Sequence, residues 1–493
     1  MATKDFLAVD LGAESGRTIV GHFDGEELQI EESHRFANLQ IDVLGTVYWD
    51  TLRLWHEIKT GIAKAVRQFG PPSAIGIDTW GIDFGLLNAE GSLVGNPVCY
   101  RDARTDGMME AAFEIMPRDE VFQRTGIQFL KFNTLYQLLA MKHHAASADP
   151  FSGVASLLFM PDLLSFFLTG RKGAEYSIAS TSQLLDAVSK TWDLKLIEQF
   201  GLPEGIFPEI VPTGSVVGDV TSHLVDEIGV VGTKVIASPG HDTAAAVVAV
   251  PAGQRNDWCY ISSGTWSLMG AEVPSPVINA KALACKFTNE GGIGNTIRFL
   301  KNIMGLWLVQ QSRKSFVEAG NELDYATLTR LAEEAPAFGS IVDPNNESLF
   351  NPTNMVEAIQ DCCRRSDQPV PSDEGAIVRC CLESLALCYR QTVEELEEVL
   401  GKRFSTIHIV GGGCRNELLC RMTADCTGRV VVAGPVEATS IGNCLVQAMA
   451  VGELGSLADI RAVVRRNADV KTYEPQPNPQ WDEHYARYRA LIS

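Results

Sequence analysis

The chain has 493 residues and a formal charge of −20, with 45% of residues hydrophobic and 21% charged, an ordinary globular balance. That length exceeds what one hydrophobic core supports, so two large domains are expected. The acidic surface repels nucleic acid and anionic membrane, which excludes both as expected partners and leaves an anionic substrate to be held by local donors and a metal ion. No stretch approaches the ~18 to 20 apolar residues of a spanning helix, and the N-terminus lacks the apolar core of a secretory signal, so a cytoplasmic protein is expected. The 12 cysteines contain no Cys-x-x-Cys pair, and reduced, mostly buried thiols are expected in place of a zinc or redox motif.

In chain order, short apolar runs at 6–11, 17–23 and 27–35 predict strands, punctuated by Gly12, Gly16 and the Asp24-Gly25 turn. Residues 50–68 then show helical spacing through Leu54, Trp55, Ile58, Ile62, Ala65 and Val66, followed by strands at 73–80 and 83–88. The pattern returns late in the chain. Strands at 257–262 and 266–271 flank the turn Ser263-Gly264-Thr265, a long helix is expected over 375–400, and a strand at 406–410 ends on Gly411-Gly412-Gly413. This predicts two related α/β halves, 1–250 and 251–493, although no direct repeat is visible between them. A terminal helix follows a short polar linker near residue 476.

Four short segments carry chemistry. In Val9-Asp10-Leu11-Gly12-Ala13-Glu14-Ser15-Gly16-Arg17 a carboxylate ends a buried strand before a tight turn. Such a turn can offer backbone N–H groups to phosphate oxygens while Asp10 holds a hydrated Mg²⁺; an ordinary hairpin is the plain alternative, and no Gly-Lys-Ser/Thr loop is present. Ser262-Ser263-Gly264-Thr265-Trp266 repeats that logic with small residues. Ser238-Pro239-Gly240-His241-Asp242-Thr243 delivers His241 and Asp242 to the start of a small-residue helix. There Asp242 is either a cap or a general base for a sugar hydroxyl, and the positive helix end is expected to keep it ionised. The glycine triplet 411–413 removes side chains where a flat ring could lie on backbone.

The order of these segments resembles the FGGY carbohydrate kinases, and the resemblance runs from Asp10 to about Gly452. It is strengthened by the strings at 78–85 (Asp78-Thr79-Trp80-Gly81-Ile82-Asp83-Phe84-Gly85), 100–108, 301–308 and 434–439. The first loop departs from the common family form, carrying Ala13-Glu14 where Gly-Thr is usual. The resemblance implies a two-domain actin-like ATPase (ribonuclease H-like) α/β fold with a catalytic cleft between the domains. The N-terminal half would hold sugar and base, and the C-terminal half nucleotide. It further implies transfer of the γ-phosphate of ATP, with Mg²⁺, to O1 of L-rhamnulose; L-fuculose and L-xylulose are the alternative ketoses.

By the same resemblance, Ala13, Glu14, Ser15, Gly16, Arg17, Thr265, Gln310 and Gly412 would contact ATP. Gly81, His241, Asp242, Thr243 and Asn302 would line the sugar pocket, with Asp242 as base. Asn302 and Gln310 are expected eight residues apart on one helix, about 12 Å. Trp80 is open between stacking on sugar and plain core packing. Sugar and ATP are the expected partners, of a monomer or homodimer. A non-catalytic sugar-binding regulator is disfavoured because Asp242 is present and no basic helical module is appended. A filament protein is disfavoured by the His241-Asp242 turn.

Overall fold

The computed structural model describes residues 3–145, 149–253 and 256–492. Lys4–Leu11 (β1) carries the unbroken apolar run Phe6–Val9, and such a strand is stable only when both faces are covered. All four of those residues are fully buried. Ser15–Phe23 (β2) turns back on β1 in antiparallel register, with Asp10 opposite Arg17 and Leu11 opposite Gly16. Leu28–Ala37 (β3) pairs antiparallel with β2.

The helix Thr51–Phe69 starts where the Asp50 side chain accepts from the Arg53 N–H, and it buries Leu54, Ile58, Ile62 and Ala65 at helical spacing. Burying a leucine or isoleucine of this kind stabilises the fold by about 1.5–3 kcal/mol. Gly61 marks the close crossing of this helix over β2, because a Cβ there would run into Thr18. Ala74–Thr79 (β4) then lies parallel to β1 and sets Asp78 opposite Asp10. Val216–Asp219 (β5) and Lys234–Ile236 (β6) complete a sheet of order β5-β6-β4-β1-β2-β3.

The chain forms two units. The first takes the residues up to Ala249 together with Glu272–Phe299 and Ala438–Asn467; the second takes Val250–Ala271, Leu300–Glu437 and the chain from Ala468 onward. Two stretches beyond the expected boundary near residue 250 therefore pack with the first unit. One of them contains the helix Ala438–Ala450, whose Gly442 meets the helix Asp242–Val248 so closely that a Cβ would overlap the Ala245 carbonyl. Ala244, Ala245 and Ala246 make that approach possible.

In the second unit, Trp258–Ser263 (β7) and Trp266–Val273 (β8) pair antiparallel, and Thr406–Val410 (β9) lies parallel to β7. Val430–Ala433 (β10) follows in parallel and Lys471–Tyr473 (β11) closes the edge antiparallel, giving the contiguous run β8-β7-β9-β10-β11 of a seven-stranded sheet. This is the connectivity of β2-β1-β4-β6-β5 in the first unit. The two halves are alike in topology though no repeat shows in sequence, because apolar residues of different identity fill equivalent strands. The helix Glu374–Leu400 is capped by Asp373 and ended by Gly401 in the left-handed region.

One local expectation is corrected. Asn302 and Gln310 do not share a helix: Asn302 lies on the strand Ile297–Met304, and Gln310 on the helix Trp307–Glu318 after the break at Gly305. All 12 cysteines are free thiols, and only Cys285 and Cys362 are not fully buried. Among the described residues no helix is long and apolar enough to cross a membrane.

Candidate active site

In the first unit, three aspartates come together from separate parts of the sequence because parallel strands end side by side. Asp10 lies next to the end of β1, its register partner Asp78 lies next to the end of β4, and Thr79 bridges in parallel to His241, the residue before Asp242. Open α/β sheets gather ligands at these carboxyl ends. Asp10 is buried, and its Oδ2 accepts from Arg17 Nε at 3.1 Å, Arg17 Nη2 at 2.8 Å and Ser440 Oγ at 2.8 Å. The Arg17 side chain, expected to face ATP, is thus engaged by its strand partner. Asp78 is fully buried; its Oδ2 accepts from Asn443 Nδ2 at 2.5 Å, and its Oδ1 has no hydrogen-bond partner among the described residues. Burial first, and then the charge of Asp10, push the Asp78 carboxyl well above the usual range.

Asp242 begins the helix Asp242–Val248, and its Oδ1 accepts from the Thr243 N–H at 2.6 Å and the Thr243 hydroxyl at 3.3 Å. His241 Nε2 lies 3.5 Å from the same oxygen. The helix end does not act on this carboxyl alone: burial raises its pKa and Asp10 adds to the rise, against the opposing effects of His241 and Thr243. A raised pKa makes Asp242 a stronger base, and 32% of its side-chain surface is open to receive a hydroxyl. Buried Glu175 steadies the preceding turn by accepting from the Gly240 N–H at 2.9 Å.

Gly81 faces His241, since a Cβ there would lie 3.4 Å from Nε2. The next residue is strained. Asp83 N–H donates to the Gly81 carbonyl at 2.8 Å, a γ-turn that holds Ile82 at φ 67°, where a β-branched residue is an outlier. Such a conformation costs roughly 1–3 kcal/mol and persists only where its surroundings enforce it. The fully buried Asp83 supplies that enforcement. Its Oδ2 accepts from Trp49 Nε1 at 2.6 Å, Trp80 Nε1 at 3.0 Å and the Tyr100 N–H at 3.1 Å, and its Oδ1 from Gln137 Nε2 at 2.9 Å. Burial moves the Asp83 pKa up to about 6 against those four donors. Trp80 is a buried core side chain whose ring centroid lies 4.1 Å from that of Trp49.

The turn after β1 is tied by Asn38, whose side chain donates to the Gly12 carbonyl and whose N–H donates to the Glu14 carbonyl, both at 2.9 Å. Ala13 and Ser15 are half-buried and Glu14 is exposed. Gly16 is buried for a packing reason, as a Cβ there would collide with Phe36 and Leu11.

In the second unit, the Thr265 carbonyl accepts from the Gly305 N–H at 3.2 Å and the Trp307 N–H at 3.1 Å. This docks the β7–β8 turn on the start of the helix carrying Gln310, whose Oε1 is buried without a partner among the described residues. The glycine triplet divides its work. Gly411 has φ 86°, Gly413 abuts Ser263 where a Cβ would overlap Oγ, and exposed Gly412 faces open space. Asn302 is half-buried on its strand.

Two family descriptions match the chain: the N-terminal domain of the FGGY family of carbohydrate kinases over residues 6–249, and the C-terminal domain over 259–451. The chain belongs to the FGGY family of carbohydrate kinases. It is 44% identical over 489 residues to a rhamnulokinase of Bacteroides thetaiotaomicron, spanning 99% of both chains. It is 43% identical to the Oceanobacillus iheyensis rhamnulokinase over 95% of this chain and 97% of that one. Solved kinase structures share the fold at lower identity. Gluconate kinase from Lactobacillus acidophilus superimposes at TM-score 0.80 with 16% identity over 99% of this chain and 96% of that one. Plasmodium falciparum glycerol kinase with ADP gives 0.76 at 16% over 99% and 97%.

Several residues of this FGGY site escape sequence reasoning. Ser440 and Asn443 sit hundreds of positions from the aspartates they hold, and Glu290 and Arg298 lie beside His241 with no local motif to mark them. The donor set fits a hard divalent cation: carboxylates at adjacent strand ends, one of them with a buried oxygen left unpartnered. Among the described residues no three His, Cys, Asp or Glu side chains converge closely enough to ligate one ion directly.

Proposed function

We propose that the chain transfers the γ-phosphate of ATP to O1 of L-rhamnulose. The reading is carried by the placement of Asp242, a partly open carboxylate with a raised pKa beside His241 at converging strand ends. It is supported by identities of 42–44% to several rhamnulokinases over almost the whole chain. Gly81, His241, Asp242, Thr243 and Asn302 bind the ketose. Asp242 accepts the proton of the O1 hydroxyl, O1 bonds to the γ-phosphorus, and the bond from that phosphorus to the ADP oxygen breaks. No covalent enzyme intermediate is needed, because positioning and charge stabilisation suffice.

The nucleotide contacts are Ala13, Glu14, Ser15, Gly16 and Arg17 in the first unit and Thr265, Gln310 and Gly412 in the second. Asp10 and Asp78 would hold Mg²⁺ through water, and the ion would supply neutralisation of phosphate charge. ATP as co-substrate and twelve free thiols favour a cytoplasmic setting.

The experiment is ADP release with ATP and Mg²⁺ against L-rhamnulose, L-fuculose and L-xylulose under identical conditions, with NMR of the product to locate the phosphate. L-Rhamnulose should give the highest kcat/KM and a 1-phosphate. A tenfold preference for another ketose would overturn the substrate while leaving the kinase reading in place.

A further inference from the structure

His241 meets a buried ion pair on the side away from Asp242. Its Nδ1 lies 3.3 Å from Arg298 Nη2 and 3.2 Å from Glu290 Oε2, and those two groups lie 3.1 Å from each other. Arg298 is 1% exposed, Glu290 4% and His241 8%. Arg298 Nε donates to the Gly291 carbonyl at 2.8 Å, which fixes the plane of the guanidinium. Its Nη1 is buried without an acceptor among the described residues.

A buried ion pair is poor value for stability alone, since well-packed apolar residues of the same volume often do as well or better. A guanidinium placed only for the fold would also have its donors matched. This one leaves Nη1 unmatched while Nη2 reaches an imidazole, so the pair serves the ring. The protonation pattern follows from fixed donor chemistry. Nδ1 faces an acceptor-only oxygen, Glu290 Oε2, as well as a donor-only nitrogen, Arg298 Nη2; the hydrogen bond it makes is the one with Arg298, and because an arginine nitrogen donates and never accepts, Nδ1 is the accepting nitrogen. The ring proton then sits on Nε2, the nitrogen directed at Gly81 and Asp242.

We infer that Glu290 and Arg298 are positioning residues for sugar binding: Arg298 holds His241 in the Nε2–H tautomer, with Glu290 fixing Arg298, so that Nε2 donates to a ketose oxygen while Asp242 takes the proton. The inference rests on the proposed ketose site. The two readings fail separately, because inactivity of the wild-type protein on every ketose would sink the site, whereas the tautomer and the coupling below concern only the pair.

The test has two arms. In the first, ¹⁵N-histidine NMR on the intact wild-type protein, with the His241→Gln spectrum for assignment, should show the His241 ring carrying its proton on Nε2 and not on Nδ1. A proton on Nδ1 overturns the proposal whatever the variants do. In the second, Arg298→Met should raise the ketose KM roughly 10- to 100-fold, the scale of losing a charged hydrogen-bonding partner. The ATP KM should stay within about twofold, and Arg298→Lys should restore part of the loss. In a His241→Ala background the same substitution should add about twofold or less, as coupled residues do. Full additivity, or equal shifts in both KM values by a variant whose melting shows it folded, would overturn the positioning role.

Discussion

Asp10 and Asp78 face each other across neighbouring parallel strands, and Arg17 donates to Asp10 through both Nε and Nη2. Asp78 has an amide donor on one oxygen and none on the other. In the protein without ligands this arrangement favours a proton on Asp78, and a cation arriving with nucleotide would take over that work.

The consequence for stability has a definite sign. The folded pKa of Asp78 stands above its unfolded value, so the native state binds more protons through the intervening window and stability falls as pH rises across it. Asp83, at about 6, acts in the same direction between about 4 and 6. Urea unfolding of the ligand-free protein should therefore give a larger free energy at pH 5 than at pH 8. Asp78→Asn should shrink that difference; an unchanged difference would remove Asp78 from the explanation.

Asp242→Asn should lower kcat by roughly 10² to 10⁴, the usual worth of a general base, with KM for ATP and ketose nearly unchanged. In the wild-type protein the acid limb of kcat/KM should fall at a pH above the ordinary aspartate range, because the raised group must lose its proton before it can accept one. A variant turning over at near-normal rate would move the base elsewhere.

The glycine triplet permits a clean separation of fold from binding. A side chain at Gly412 meets nothing within 4 Å, so Gly412→Val should leave the melting temperature unchanged and raise KM for ATP far more than for ketose. Gly413→Ala should instead destabilise by about 1–3 kcal/mol, because Cβ overlaps Ser263. Thr265→Val should follow Gly412→Val. Matching effects on both substrates would contradict the nucleotide placement.

Asp83→Ala should cost about 3–5 kcal/mol in unfolding free energy, since it strands buried donors from Trp49, Trp80, Tyr100 and Gln137 together. It should also release the strained turn at Ile82 and so weaken ketose binding. A loss below about 1 kcal/mol would mean that those donors find other partners.

Legibility in the sequence followed the range of the interaction. Strands such as Phe6–Val9 and the helix Glu374–Leu400 announce themselves through local periodicity and capping, as does the turn bringing His241 and Asp242 to a helix start. Asn302 reads as helical in sequence but lies on a strand, because the break at Gly305 splits one apolar stretch into a strand and a helix. The raised pKa of Asp242 is also invisible there, because burial causes it and burial is set by distant segments. Ser440, Asn443, Glu290 and Arg298 have ordinary neighbours, and their partners are fixed only by tertiary packing.

The helix Ala438–Ala450 lies within the stretch that matches the family's C-terminal domain, yet it packs in the first unit. During synthesis on the ribosome, β1 and β4 emerge long before it, so Asp10 waits for Ser440 and Asp78 for Asn443 until most of the chain has been polymerised. Recombination between relatives at residue 250 would join aspartates from one parent to a covering helix from the other. Such chimeras inherit a mismatched lining under the carboxylates, whereas crossovers that keep 438–467 with the N-terminal segment preserve it.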